Sequence, residues 1–141
     1  YDTLQQHLTD LHYQPAELQL WQRWLIQSKL AFIHPPTSTK FLPQMLSLDF
    51  LGAVSFTKGC YVGQEVIART QHLGQLKRHL HYLTITSDKP LNCGDPLMLA
   101  SGDQAGIIIE QLQDPQQHYH VLAVIQDRHL DALQAQLQHS E

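Results

Sequence analysis

The chain has 141 residues and a formal net charge of −4, and it is 43% hydrophobic and 16% charged. These values favour one domain, or a small domain with part of another, around a packed core, and they argue against disorder. The negative charge argues against a general nucleic-acid binder, although it leaves a local basic patch open, and no apolar run is long enough to span a membrane. We therefore expect no direct nucleic-acid partner and no membrane partner.

The start of the chain and its cysteines indicate its context. The first residue is Tyr1 rather than Met, and no basic stretch followed by an apolar signal region is present. We therefore expect part of a longer protein, or a chain whose beginning has been removed. Cys60 and Cys93 are far apart in the sequence and do not form a disulfide framework. This predicts a reducing, cytoplasmic compartment.

The first forty residues are predicted to be mainly helical. Leucine spacing predicts a helix over residues 2–11, and Pro15 begins a second helix. Trp21 and Trp24 fall on the apolar stripe of that second helix. Their position predicts core packing, with the lining of a pocket as the alternative. The proline-containing run from His34 to Thr39 ends the helix.

The next segment is predicted to be less regular. Pro43 interrupts the apolar stretch from Phe41 to Leu46, which therefore predicts irregular structure or an edge strand. A short helix is predicted over residues 64–70, with Val66 and Ile67 turned inward. Residues 72–75 are predicted to form a linker to the second half of the chain.

The second half is predicted to be a small antiparallel β-barrel or sandwich. Short apolar stretches alternate with turn signals such as Asn92–Pro96 and Asp114–Pro115. Asp127 is placed to cap a last helix that begins near Arg128. The predicted strands cover residues 79–86, 97–100, 105–112 and 118–125.

Histidines are numerous in the predicted strands. His79 and His81 point to one face of a strand, and His118 and His120 repeat this pattern. If those strands paired, four imidazoles could bind zinc or nickel. Solvent-facing positions of an amphipathic sheet explain them better, because typical structural metal sites also use Cys at close spacing, and we assign no metal site. The basic run from Lys77 to His79 is interpreted as the start of a strand, with contact to an anion as the alternative.

The segment from Lys58 to Glu65 carries the candidate chemistry. Cys60 lies beside a lysine and in front of a predicted helix, and a lysine and a helix N-terminus both favour the thiolate. Gly59 and Gly63 permit unusual backbone angles and close approach of a ligand. Tyr61 adds a stacking face and a hydroxyl. A buried structural cysteine is the alternative interpretation.

Helical spacing also places Glu65 and Arg69 on one helix face, where they can form an ordinary surface pair.

The eight-residue string Lys-Gly-Cys-Tyr-Val-Gly-Gln-Glu at residues 58–65 resembles the signature Lys-Gly-Cys-Tyr-x-Gly-Gln-Glu of the YgfZ-like family. Its flanks agree with the family as well. These are Phe41–Gln44, Gly52–Phe56 and the pair Ala68-Arg69. The clear resemblance covers residues 41–78 and implies a fold shared with the T-protein of glycine cleavage.

The resemblance implies an α+β chain with two parts. Residues 1–76 would be the C-terminal part of a T-protein-like (GcvT-like) folate-binding α/β domain, and residues 77–141 a small antiparallel β-barrel with a terminal helix. It also implies site residues. Cys60 and Lys58 would be catalytic, and the ligand-binding residues would be Gly59, Tyr61, Gly63, Gln64, Glu65 and Arg69.

The implied function is a folate-linked accessory role in the assembly or repair of iron–sulfur enzymes, including enzymes that modify transfer RNA. Tetrahydrofolate is the implied cofactor, and Cys60 would transiently hold an iron–sulfur or persulfide species. Iron–sulfur client enzymes are the expected partners, and an N-terminal half or a dimer partner is expected to complete the pocket. Two alternatives stay open: a tetrahydrofolate-dependent aminomethyltransferase and a non-catalytic client-docking module.

One stretch departs from the family pattern. Relatives carry an Arg-Ile-Glu-x-Gly-x-Pro-like element on the folate side, whereas residues 25–31 read Leu-Ile-Gln-Ser-Lys-Leu-Ala. Gln27 therefore replaces the acid, and an amide does not supply the negative charge that a carboxylate offers to a pterin N–H group. This departure weakens the expectation of folate binding and leaves the cysteine segment unchanged.

Overall fold

The computed structural model describes residues 2–138, and of Leu73 it describes the backbone only. This part of the chain has the α+β class predicted from the sequence. Its helices are α1 (Asp2–Asp10), α2 (Leu18–Gln27), α3 (Gln64–Leu73) and α4 (Asp127–Gln138), with 3₁₀ turns at Pro35–Thr37 and Pro43–Leu46. Its strands are β1 (Arg78–Thr86), β2 (Pro96–Met98), β3 (Gln104–Gln113) and β4 (His118–Gln126). No helix in this range is long and apolar enough to cross a membrane.

The four strands form one antiparallel sheet in the order β1-β4-β3-β2. β1 and β4 pair along their whole length, from Arg78 opposite Gln126 to Thr86 opposite His118. The predicted antiparallel pairing is therefore confirmed. The predicted barrel closure is wrong for the described residues, because β1 and β2 form the two edges of the sheet. β2 has only three residues, and all of its described pairing is with β3. Helices, and not a second layer of strands, cover the described sheet.

Helical segments cover both faces of the sheet, so β4 is buried at every position from Tyr119 to Ile125. Burial on two faces explains its nearly continuous apolar sequence. One face packs against α4, and the other packs against α2 and the second 3₁₀ turn. The first face buries Leu83, Ile85, Leu97, Ala105, Ile108, Tyr119, Val121, Ala123, Ile125 and Leu133. The second face buries Ile26, Leu46, Leu80, Ile109, Leu122 and Val124.

The second of these clusters contains residues from before and after position 76. The division into domains at residues 1–76 and 77–141 stays a prediction, and Tyr1 and residues 139–141 lie outside the described part of the chain.

A bulge in β3 directs Ile108 and Ile109 to opposite faces of the sheet. The pairing with β4 shifts between Ile108 and Glu110, so that Ile109 is the extra residue. Ile108 then joins the cluster under α4, and Ile109 joins the cluster under α2. The same shift determines the position of Glu110 beside the loop that follows α2, where its carboxylate meets His34.

The N-terminal helices differ from the sequence prediction in burial. α2 begins at Leu18 with Glu17 as its N-cap, later than the predicted start at Pro15. Trp21 and Trp24 stack on each other with ring centroids 5.1 Å apart, and they remain 55% and 54% exposed. The prediction of core packing is therefore wrong for both, because the apolar stripe of α2 is wider than the part that reaches the sheet. α1 has no buried residue in the structure.

Three smaller predictions change as well. Of the two alternatives for residues 41–46, the edge strand is wrong, because residues 43–46 form a 3₁₀ turn in which Leu46 is buried against the sheet. Val66 is 54% exposed rather than inward. Asp127 is the first residue of α4, its N–H donates to the carbonyl of Lys77, and its carboxylate lies 2.7 Å from Nδ1 of His79.

Candidate functional site

Cys60 lies in an exposed loop that leads into α3. The thiol is accessible, so the interpretation as a buried structural cysteine is wrong for this chain. Gly63, the N-cap of α3, has φ +87°, a left-handed backbone angle that glycine adopts without strain. The neighbouring Val62 is fully exposed. The loop therefore exposes the Cys60 thiol and an apolar side chain at the protein surface.

Local contacts shape the loop around Cys60. The ammonium of Lys58 lies 4.7 Å from the centre of the Tyr61 ring, within the range of a cation–π contact. The backbone N–H of Lys58 donates to Oγ of Ser55 at 3.2 Å. The backbone N–H of Tyr61 donates to Oε1 of Gln64 at 3.3 Å. Contacts of Tyr61 with Lys58 and with Gln64 thus link three residues of the segment that contains Cys60.

The glycine beside the thiol leaves open space. A side chain added at Gly59 would meet no other heavy atom within 4 Å, and the same is true at Gly63. Packing therefore does not require a glycine at position 59. The space next to Cys60 remains free for a ligand or a partner group.

Glu65 and Arg69 form the predicted pair on the outer face of α3. Nη2 of Arg69 donates to Oε1 of Glu65 at 2.7 Å. Their side chains are 82% and 69% exposed, and ion pairs this exposed contribute little to stability. Within the described residues both groups contact each other rather than the thiol loop.

A buried glutamine connects α3 to the 3₁₀ turn at Pro43–Leu46, a contact that the sequence analysis did not predict. Nε2 of Gln44 donates to the carbonyl of Ile67 at 2.7 Å, and Gln44 is only 5% exposed. Gln44 ends the first flank that resembles the family, and Ile67 follows the cysteine signature. This hydrogen bond therefore joins two stretches of the resemblance in space.

A cleft of about 260 Å³ lies between α2 and β3. Trp21 and Phe32 contribute aromatic walls, and Glu110 and Gln111 contribute polar groups. Oε1 of Glu110 lies 2.8 Å from Nε2 of His34 and accepts a hydrogen bond from the N–H of Phe32 at 3.3 Å. Sequence reasoning missed Glu110, because the bulge that directs it to this cleft has no clear sequence signal.

The four strand histidines do not gather into one site. The antiparallel register places His79 opposite Ile125 at one end of the β1–β4 ladder, whereas His118 lies opposite Thr86 at the other end. The four-imidazole alternative is therefore wrong. Among residues 2–138, no group of three or more His, Cys, Asp or Glu side chains has an arrangement that could hold a metal ion.

His120 and Asp114 belong to a polar cluster at the far end of that ladder. The hydroxyl of Tyr82 lies 2.6 Å from Nδ1 of the buried His120, and Nε2 of His120 lies 3.4 Å from Asp114 without forming a hydrogen bond. Burial acts to raise the pKa of Asp114. Hydrogen bonds from the backbone N–H groups of His118 and Gln116, together with the nearby imidazoles, outweigh this effect and hold the pKa below its ordinary value.

Cys93 has a different environment from Cys60. It is half-buried beside Gly94, whose φ of +92° forms a turn packed against Pro36. Burial raises the pKa of the Cys93 thiol, and a hydrogen bond with the Thr37 side chain opposes this effect. Cys93 is therefore less suited than an accessible thiol to react as a thiolate.

Comparison with known proteins gives a consistent set of relatives, although no protein-family model matches the chain. The chain is 37% identical over 112 residues to the tRNA-modifying protein YgfZ of Klebsiella pneumoniae, a match that covers 75% of this chain and 34% of that protein. It is 39% identical over 99 residues to the tRNA-modifying protein YgfZ of Escherichia coli, covering 68% of this chain and 30% of that protein. The matches therefore span about a third of the length of these relatives.

Proposed function

Because this chain belongs to the YgfZ-like family, we propose that it is the C-terminal part of a folate-linked accessory protein for iron–sulfur enzymes. The enzymes served would include those that modify transfer RNA, since the relatives are named as tRNA-modifying proteins. In this proposal the T-protein-like arrangement extends beyond the chain, and the folate pocket is completed by an N-terminal half. The reducing interior of the cell is the proposed setting.

The exposed position of Cys60 is the observation that carries this proposal. The thiol projects from a loop whose sequence matches the family signature in full, and no packing role competes with a chemical one. Lys58 would supply a positive charge within the same loop, and Gly59 would leave room for the incoming group. Cys60 would then displace a leaving group from a carbon centre, take the outer sulfur of a donor persulfide with release of the donor thiolate, or ligate a cluster that is passed to the client.

The proposed site for one part of the folate is the α2–β3 cleft. Trp21 and Phe32 offer faces on which a flat pterin ring stacks, and Glu110 offers the carboxylate that is missing at Gln27. A volume of about 260 Å³ is small for a whole cofactor, since ligand pockets usually measure roughly 300–1,000 Å³. The remainder of the ligand would therefore be bound by residues outside this chain, and bound folate would supply a one-carbon carrier.

Replacement of the two cysteines provides the test of the chemical role. We expect Cys60→Ala in the full-length protein to abolish iron–sulfur-dependent tRNA modification in a strain that lacks the endogenous protein. Cys93→Ala is the matched control, because it removes a thiol outside the signature and should leave activity intact. Full complementation by the Cys60→Ala protein would contradict the proposal.

Folate binding is tested separately by calorimetry with tetrahydrofolate. We expect the longer natural protein to bind and this chain alone to bind much more weakly, since the cleft holds only one part of the ligand. Glu110→Gln should weaken binding by the longer protein, because it removes the charge that pairs with the pterin N–H groups. Equal affinity in the Glu110→Gln protein would place the pterin elsewhere.

A non-catalytic client-docking role is the second candidate, and the apolar side chains exposed on the N-terminal helices favour it. Trp21, Trp24 and Leu18 are each more than half exposed, which is typical of a surface that another chain covers. A docking module would retain its clients when Cys60 is removed. Co-purification of clients with the Cys60→Ala protein therefore distinguishes binding from chemistry.

A further inference from the structure

Four of the nine lysine and arginine side chains gather near one end of β1. Lys77 and Arg78 begin this strand, and Arg128 lies in the first turn of α4. The backbone N–H of Asp127 donates to the carbonyl of Lys77 at 3.0 Å, which joins the two elements. Lys29 follows α2 and is close enough to β1 for its charge to act on His81. All four cations are exposed, and none forms an ion pair within the described residues.

Other titratable groups at this end of the strand leave the charge positive. His79 lies 2.7 Å from the carboxylate of Asp127 and engages it. The pKa of His81 is lowered first by burial, then by the nearby charges of Lys29 and His79, against the opposing charge of Asp127. Four cations minus one carboxylate give a local charge of +3 with neutral imidazoles, on a chain of net charge −4. The negative net charge of the chain therefore does not reveal that this part of its surface is strongly basic.

Two adjoining clefts run through this surface. The first measures about 300 Å³ and is lined by Lys77, Gln126, Asp127 and Arg128. The second measures about 250 Å³, includes Arg78, and shares Gln126 with the first. An extended chain of anionic groups can contact cations in both clefts at once, whereas a single small anion reaches only one of them.

We propose that the basic patch, defined as Lys29, Lys77, Arg78 and Arg128, binds the phosphate backbone of RNA. Unpaired cations along an extended surface fit successive phosphates, because each contact releases condensed counterions. The choice of RNA over an acidic protein or a membrane rests on the proposed function. The expectation of no direct nucleic-acid partner came from the net charge, which does not report how the charges are distributed.

Salt dependence of tRNA binding tests the number of contacts. Four phosphate contacts predict that affinity for unfractionated tRNA, followed by fluorescence anisotropy, falls about 100-fold between roughly 50 and 200 mM salt. The double variant Lys77→Gln with Arg128→Gln leaves two contacts. It should therefore bind more weakly at low salt and lose only about 10-fold over the same range.

The control removes equal charge elsewhere. Lys40→Gln with Lys89→Gln changes two exposed lysines outside the patch and should leave both the affinity and the salt dependence unchanged. Equal loss in both double variants, or no tRNA binding by the unchanged protein, would overturn the proposal. Far-UV circular dichroism of each variant confirms that the fold is retained.

Further measurements distinguish tRNA from other phosphate-bearing ligands, and they separate the RNA-binding proposal from the proposed role of Cys60. Inorganic pyrophosphate that displaces tRNA at equal phosphate concentration would indicate a small-anion site and overturn RNA as the ligand. Binding to phosphatidylserine vesicles without binding to tRNA would indicate a membrane and overturn it too. The Cys60→Ala protein should bind tRNA normally, because Cys60 is not part of the patch. The RNA proposal would therefore stand even if that variant retained full activity.

Discussion

Gly106 offers a sharp test of the packing between β3 and its neighbours. It lies opposite Ile125 of β4 and opposite Leu97 of β2. A methyl group added at this position would lie 2.5 Å from the carbonyl oxygen of Val124 and 3.1 Å from the Cα of Ile125. Both are backbone atoms, so Gly106→Ala forces the strands apart instead of moving one flexible side chain.

The expected cost follows from two opposing effects. Overpacking costs typically about 1–3 kcal/mol, and the reduced freedom of the unfolded chain returns about 0.4–1 kcal/mol. A net loss of about 1–2 kcal/mol should lower Tm by roughly 2–8 °C in a chain of this size. Thermal unfolding followed by far-UV circular dichroism measures the shift.

Gly59→Ala is the matched control for this prediction. Its added methyl group meets no atom within 4 Å, so Tm should stay the same or rise slightly. The same variant narrows the space beside Cys60, and we expect it to lower activity without lowering stability. An equal drop in Tm for Gly106→Ala and Gly59→Ala would refute the packing argument.

Three further predictions concern polar groups and thiols. Tyr82→Phe removes the hydroxyl partner of buried His120 and should lower the free energy of unfolding by about 1–3 kcal/mol in urea titration. The pKa of Asp114 is depressed by folding, so its stabilising contribution is present above the unfolded pKa and is lost as pH falls through the folded one. Asp114→Asn should therefore flatten the acid limb of a Tm–pH curve, and an unchanged limb would contradict this. Titration with a thiol reagent should show Cys60 reacting before Cys93, because only Cys93 is partly buried.

Local sequence patterns predicted the positions of most helices and strands. They predicted less well which elements pack against each other. The alternation of residues in β1 and the helical spacing of α4 are properties of neighbouring residues, so both elements could be placed from the sequence. The exposure of Trp21 and Trp24 could not, because periodicity identifies an apolar face without identifying what covers it. Closure of the sheet was also mispredicted, since strand count alone does not show that β2 is too short to extend it.

The candidate site was likewise predicted only in part from the sequence. Cys60 and Lys58 could be found because they form a contiguous string, and a string is visible without coordinates. The roles of Glu110 and Gln44 could not be predicted, because they depend on a β-bulge and on a hydrogen bond to α3. The separation of His79 from His118 likewise depends on β1 pairing with β4, a register that strand spacing does not determine.

Cys60 lies in a stretch without buried side chains, so a substitution there tests the chemistry of the thiol and not the stability of the fold. From position 47 to position 79, no described side chain is buried. The buried residues of the core cluster under α4 all follow this stretch, and those of the cluster under α2 lie before and after it. A change at Cys60 therefore removes little packing energy, and its loss of activity cannot be ascribed to a collapsed core. The same stretch exposes Phe50 and Val62 almost fully. If the proposed client or a further part of the protein contacts this stretch, it would meet the thiol and these apolar side chains together.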